Sequence, residues 1–268
     1  MNNSEPGLEL DPLLGMSDPA PYVLLNISGG RHALLAGDHA GRAIPAALGT
    51  LGLTAAELDR HIAYDTGSRE LVELLSARLN LPALAGNYSR LVVDLNRRLD
   101  DPTAFPERSD GTEIPGNHSL SAADREARVR EIYQPYHAAI DRWLIGSQDR
   151  GQVPALIAIH SFTPELNGTR RLWQVGIMSD KDRRIAGPLV DALRGDGSVV
   201  VGDNEPYSGK HVADYTIDHH AEAACLPCAS IEIRQDLLAT ESDRNFWADL
   251  LALHLGRILA DSALNTHT

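Results

Sequence analysis

Two histidines stand where short apolar runs end. His39 follows Leu34-Leu35-Ala36 within Gly-Asp-His-Ala-Gly-Arg, and His160 follows Leu156-Ile157-Ala158-Ile159 ahead of Ser-Phe-Thr-Pro. If both runs are strands, both imidazoles are delivered beyond strand carboxyl ends, where open α/β sheets bind ligands. Two imidazoles with a carboxylate nearby match a catalytic zinc site that keeps one position for water. One such histidine would more often just cap its strand. Two, each beside a Gly-rich or Pro-bearing turn, favour the metal. Glu232 lies mid-run among Ala229, Ile231 and Ile233. A carboxylate on a buried strand needs a partner or a raised pKa, and the latter suits a general base. The alternative is an edge-strand glutamate facing solvent or paired with Arg234.

The segment Tyr88-Ser-Arg-Leu-Val-Val-Asp-Leu-Asn-Arg97 gathers two guanidinium groups, a carboxylate and an amide. It predicts a buried strand over Leu91–Val93, with Arg90 at its entrance and Asp94, Asn96 and Arg97 at its exit. An arginine cannot shed its charge, and its fork of donors matches a carboxylate in bidentate fashion. The cluster therefore proposes a pocket for a small acidic molecule, with Asp94 either orienting an arginine or meeting the ligand. Asp65, in Tyr-Asp-Thr-Gly-Ser, either supplies a carboxylate ligand to the metal or caps a helix beginning near Ser68. The Gly202–Gly209 loop holds Glu205 and Tyr207, which is more than an ordinary surface turn requires. Tyr207 is a candidate for touching substrate. His219-His220 could do the same, although paired loop histidines are more often solvated. Arg170-Arg171 either adds cationic character to a pocket or stays in water.

The elements that must position these groups can be read from pattern. Tyr22–Ile27, Ala33–Ala36, Ala155–Ile159, Gln174–Met178, Val199–Val201 and Ser230–Arg234 read as strands. Thr54 with Glu57 opens a short helix ending near Ala63, Ser68–Leu79 is amphipathic, and Ser121 with Asp124 opens a long helix. That helix stops before Gly151 and is expected to kink at Pro135. Further helices are expected over Asp182–Arg194 and Glu241–Ala260. From Asp100 to Leu120 periodicity vanishes, the pattern of a lid or substrate-facing excursion. Strands alternating with helices indicate an α/β three-layer sandwich with a mixed, largely parallel central sheet. Residues 1–20 are expected to be a flexible arm and residues 21–268 a single domain.

Composition narrows the function. Over 268 residues, 43% are hydrophobic and 23% charged, in the ordinary globular range. A net charge of −13 leaves no basic stripe for nucleic acid, so Arg90 and Arg97 stand out as local positive charge. No apolar run approaches the roughly 20 residues of a membrane span, and the N-terminus lacks signal-peptide character, so the expected location is cytoplasmic. The two cysteines, in Cys225-Leu-Pro-Cys228, are too few for a Cys₄ zinc site and do not open a helix as a redox pair would. Nothing in the sequence sets the oligomeric state.

Taken in order, the motifs resemble the N-formylglutamate amidohydrolases, a family related more distantly to zinc carboxypeptidases and to the aspartoacylase/succinylglutamate desuccinylase group. The likeness rests on Gly37-Asp-His-Ala-Gly-Arg42, Asp65 and its following helix, Tyr88-Ser-Arg…Asp-Leu-Asn-Arg97, Tyr136-His137, His160-Ser-Phe, Asn204-Glu-Pro-Tyr-Ser-Gly209 and Ile231-Glu-Ile-Arg-Gln-Asp-Leu-Leu238. It implies a zinc-peptidase-like fold and one Zn²⁺ per chain, held by His39 and His160. It also implies hydrolysis of the amide bond of an acidic N-acyl amino acid, with N-formyl-L-glutamate as the family's example. By the same likeness Asn96 and Arg97 clamp a substrate carboxylate, Arg90 polarises the scissile carbonyl, and Glu232 is the general base. The sequence departs from the wider group at Arg42, where relatives carry a glutamate three residues after the first histidine; Asp65 is then the candidate third ligand. It also has Asp38-His-Ala-Gly41 where the formylglutamate enzymes show Pro-His-Ser-Gly. The rival readings are a deacylase for another acidic N-acyl or peptide-like metabolite, and a silent binding protein that keeps the arginines without the metal.

Overall fold

The protein is described here from a computed structural model covering residues 12–30, 32–166, 168–209, 214–261 and 264. Seven strands form the central sheet: β1 (Tyr22–Leu25), β2 (Ala33–Gly37), β3 (Ala83–Gly86), β4 (Ala155–Phe162), β5 (Val175–Met178), β6 (Val201–Asp203) and β7 (Cys228–Arg234). Their order across the sheet is β1-β3-β2-β4-β7-β5-β6. The pairs β3–β2, β2–β4, β4–β7 and β5–β6 are parallel, while β1–β3 and β7–β5 are antiparallel. The expected mixed, mostly parallel α/β sheet is what the chain forms.

Helices α1 (Ala55–Leu58), α2 (Ser68–Leu79), α3 (Ala122–Arg128), α4 (Gln134–Gln148), α5 (Ala186–Asp196), α6 (Tyr215–His220) and α7 (Glu241–Ile258) complete the layers. Strand residues alternate between faces, and each face has its own core. Ala33, Leu35, Ala155, Ile157, Ile159, Ile231 and Ile233 pack with Leu71 and Leu75 of α2, Leu189 and Leu193 of α5, and Trp247, Leu251 and Leu255 of α7. Leu34, Ala36, Leu156, Ala158 and Cys228 face the other way, onto Ile132, Tyr136 and Ile140 and the Tyr88–Leu95 stretch.

Several expectations change. Leu91–Val93 is not a strand. The paired strand lies earlier, at Ala83–Gly86, and Leu91–Val93 is a buried turn in which Val92 N–H donates to Ser89 O. Arg128 Nη1 donates to Val92 O at 2.9 Å and Asn117 Nδ2 to Leu91 O at 2.8 Å. Apolar content there records burial under neighbouring side chains, not a ladder. The 100–120 excursion is pinned by Asn117, with Phe105 and Ile114 buried beneath it. Its residues are not among those lining the cavity around His39 and His160; they pack over the Leu91–Val93 turn.

The long helix is continuous from α3 to α4 through one π-helical turn, Val129–Tyr133, which ends just before Pro135. The widened turn precedes the proline, whose missing N–H removes one helical hydrogen bond. The Thr54/Glu57 capping box is present, but α1 stops at Leu58. The expected arm over 1–20 lies outside the described residues up to residue 11. Its 12–20 part is docked, with Leu13 and Leu14 N–H on Glu131 and Tyr88 O–H on Pro19 O. Among the described residues no helix is long and apolar enough to cross a membrane.

Candidate functional site

On the face carrying the Tyr136–Ile140 core, the inward positions of three adjacent strands run from apolar to polar toward the carboxyl ends. Leu34 and Ala36 lead to Asp38, Leu156 and Ala158 to His160, and Cys228 and Ser230 to Glu232. In the ladder Glu232 stands directly across from His160 on one side and Gly176 on the other. A Cβ at Gly176 would meet Glu205 O, so only a glycine lets the 202–209 loop settle over the sheet. Asn204 Oδ1 then pins that loop by accepting Ser179 N–H at 3.1 Å and Gly209 N–H at 3.0 Å.

Asp65 is placed by the turn before α2. Its N–H donates to His39 O, and Ser161 Oγ donates to Thr66 O at 2.9 Å. Gly67, at φ 80°, caps α2 without any side-chain hydrogen bond. The Asp65 side chain is therefore not a helix cap. It turns inward, its Oδ2 at 3.0 Å from His160 Nδ1 and accepting Ser161 N–H at 3.2 Å.

The imidazoles are oriented by two further carboxylates. His39 Nε2 bonds Asp94 Oδ1 at 2.7 Å, which leaves Nδ1 buried without a hydrogen-bond partner, 3.5 Å from Asp65 Oδ2. His160 Nε2 faces Asp38 Oδ2 at 3.4 Å, and Asp38 Oδ1 accepts Tyr136 O–H at 2.6 Å. One donor atom each from His39, Asp65 and His160 falls within 4.8 Å of the other two. Two imidazole nitrogens and a carboxylate oxygen, each imidazole backed by a carboxylate, form the donor set and the outer support of a metal site. The orphaned His39 Nδ1 fits that reading, since a buried ring nitrogen needs a partner. These residues fit a divalent ion.

The same groups perturb one another strongly. Burial works against an ionised Asp65, yet His39 and His160 outweigh it and hold the carboxyl far below the usual range. Burial likewise opposes Asp94, and Arg90 with His39 reverses the effect. Glu232 goes the other way: burial, reinforced by the Asp65 and Asp214 charges and opposed by His160, raises it to about 7.

Arg90 donates through Nε and Nη2 to Asp94 Oδ2 at 3.0 and 2.7 Å, and its Nη1 lies 3.6 Å from Asp65 Oδ1. Asp94 thus orients an arginine. Asn96 Oδ1 accepts Thr216 N–H at 2.9 Å, so its amide donors are left for the cavity. Arg97 Nη1 donates to Asn96 O at 2.9 Å. Tyr207 is at the rim, its ring under Arg171 at 4.7 Å and edge-on to Phe162. The eight expected residues, His39, Asp65, Arg90, Asn96, Arg97, His160, Tyr207 and Glu232, all line one cavity of about 530 Å³.

Other expectations divide. Arg42 points outward into an exposed pair with Asp59, away from the cavity. His219 is exposed, but His220 lies in α6 and is buried, contrary to the solvated loop pair expected. His220 bonds His137 Nδ1 at 2.8 Å and Asp141 Oδ1 at 2.7 Å, while His137 Nε2 reaches Leu95 O at 2.9 Å. Cys225 and Cys228 are both free thiols, one exposed and one buried. Sequence reasoning missed Asp38 and Asp214. Asp38 was findable, because it continues the Leu34, Ala36 alternation one step further.

Fold and site together define an α/β protein with a His-Asp-His cluster at strand carboxyl ends, the architecture of a hydrolase with room for one metal ion. The profile of the N-formylglutamate amidohydrolase family matches residues 32–239. The chain belongs to that family of amidohydrolases. Among solved structures it is similar to the gene product Atu2144 of Agrobacterium tumefaciens, with 33% identity, a TM-score of 0.89, and coverage of 92% of this chain and 98% of that one. It also resembles an N-formylglutamate amidohydrolase of Ralstonia eutropha JMP134, at 22% identity and TM-score 0.69, covering 90% of this chain and 97% of that one. No curated protein matches the sequence significantly.

Proposed function

We propose that this chain hydrolyses the amide bond of an acidic N-acyl amino acid with one bound zinc ion, and that N-formyl-L-glutamate is its substrate, giving glutamate and formate. The observation that carries the reading is the meeting of His39, Asp65 and His160 with Glu232, Arg90, Asn96 and Arg97 around one cavity. Family membership supports it, and so does the likeness to the N-formylglutamate amidohydrolase of Ralstonia eutropha. When bound by His39, Asp65 and His160, the ion supplies Lewis acidity, polarising a carbonyl and making water easier to deprotonate.

The remaining work belongs to the chain. Glu232, raised to about 7, takes a proton from the attacking water as its oxygen adds to the carbonyl carbon. It returns that proton to the nitrogen as the C–N bond breaks. Arg90, braced by Asp94, offers a donor to the developing oxyanion; losing one such donor costs about 2.7–4 kcal/mol. Asn96 and Arg97 hold a substrate carboxylate, which selects acidic substrates and sets the carbonyl in place. Tyr207 closes the rim against the substrate. The proposal places this chemistry in the cytoplasm.

The test is a panel of formyl, acetyl and succinyl amino acids, acidic and neutral, run beside elemental analysis. Expected are one zinc per chain, activity removed by chelator and restored by zinc, and the highest kcat/KM for N-formyl-L-glutamate. A preference for acetyl or succinyl substrates would move the assignment to another deacylase. Metal-free protein that binds acidic compounds without turnover would make it a silent binding protein.

A further inference from the structure

Asp214 occupies the N-cap position of α6, the place where an aspartate ordinarily accepts a helix N–H. Its side chain makes no cap hydrogen bond. Asp214 is instead only 6% exposed, lines the cavity that holds His39 and His160, and among the described residues keeps Oδ1 buried with no hydrogen-bond partner. Burying a carboxylate oxygen unpaired is costly, and a carboxylate lining a cavity is suited to meet a donor on the molecule bound there. Thr216 N–H, two residues on, is tied to Asn96 Oδ1 at 2.9 Å, which sets Asp214 beside the amide of the carboxylate clamp. It is also near enough to Glu232 for its charge to be felt there. Glu232 Oε2 is a second buried oxygen without a partner.

The cavity therefore has two characters. Arg90, Asn96 and Arg97 present donors, and Asp214 with Glu232 presents acceptors. A dicarboxylate alone would satisfy the first group and leave Asp214 facing like charge. A molecule bearing carboxylates and a nitrogen donor would satisfy both. We infer that Asp214 is a specificity-determining residue that accepts a hydrogen bond from the substrate's amide N–H and, after cleavage, from the ammonium group of the amino-acid product. This rests on the reading that the substrate is an acidic N-acyl amino acid. It adds that the site reads the nitrogen as well as the acid, and that the amino-acid product is held more firmly than its deaminated analogue.

Calorimetric titration of the zinc-loaded protein with L-glutamate and with glutarate, the same dicarboxylate lacking the ammonium, tests it. A hydrogen bond to a charged group is worth roughly ten- to hundredfold in affinity. The wild type is expected to bind L-glutamate at least about tenfold tighter than glutarate. Asp214→Asn and Asp214→Ala should erase that preference, weakening L-glutamate by about tenfold or more while leaving glutarate within about twofold. Retained glutarate binding shows that the variants keep a folded clamp. An equal loss for both ligands in both variants would assign Asp214 to structure and overturn the inference. So would a wild type that binds the two ligands alike. A wild type that binds neither and cleaves no acidic N-acyl amino acid would instead overturn the substrate reading, and this inference with it.

Discussion

The two faces of the sheet differ in one respect with large consequences. The face under α2, α5 and α7 is apolar at Ala155, Ile157 and Ile159 and again at Ala229, Ile231 and Ile233. The opposite face is apolar for half its length and then polar, ending in Asp38, His160 and Glu232. Because alternation ties the faces together, the apolar face fixes the register that aims the polar one. A slip of one residue would exchange Ile231 for Glu232. Both faces carry a buried core, but only one of them turns polar toward the strand carboxyl ends.

The largest expected effect falls on the polar face. Glu232→Gln should lower kcat by about 10²–10⁴-fold, with bound metal and thermal midpoint close to wild type; retained turnover would remove Glu232 from its proposed role. On the apolar face, Trp247→Ala should cost about 3–5 kcal/mol of stability while kcat per folded molecule holds steady, as denaturant titration beside activity would show. A matching collapse of kcat would mean that the faces are not separable. Arg97→Ala should raise KM for acidic substrates about ten- to hundredfold, the value of a charge-assisted contact, with little change for neutral ones.

The effect smallest near neutral pH is on pH dependence. Burial, aided by His220, drives His137 down to about 3, and burial lowers His220 as well. Both are neutral when folded near pH 7, whereas an unfolded histidine titrates near about 6.5. The unfolded chain thus binds more protons below that value. The His137 contribution is whole above about pH 6.5 and is lost as pH falls toward about 3, by at most about 1.4 kcal/mol per unit, and His220 acts in the same direction. His137→Gln should flatten the acid limb of a midpoint-versus-pH curve, and an unchanged limb would contradict the neutral buried pair.

Part of this was legible because His160 and Glu232 sit on strands and His39 just past one. Leu34-Leu35-Ala36 and Leu156–Ile159 announce where His39 and His160 must emerge, and Glu232 declares itself by being charged where its neighbours are not. The errors share another cause. Leu91–Val93 is as apolar as a strand, but its backbone bonds go to Ser89, Asn117 and Arg128, partners that no local pattern reveals. His220 looked solvated because its partners, His137 and Asp141, come from a distant helix. Asp214 was invisible for the opposite reason: it occupies a position where an aspartate is ordinary, and only its unused cap and unpaired oxygen set it apart.

Asp94 grips an imidazole with one oxygen and a guanidinium with the other. Those two neighbours compete for the electron density of a single carboxylate. On the metal reading proposed above, an anion that drew Arg90 toward itself would leave Asp94 freer to polarise His39, making that ring a stronger ligand. Such coupling is mutual by thermodynamic necessity: cation and anion would each be held more tightly in the other's presence, and filling the site would be cooperative from its first occupant onward.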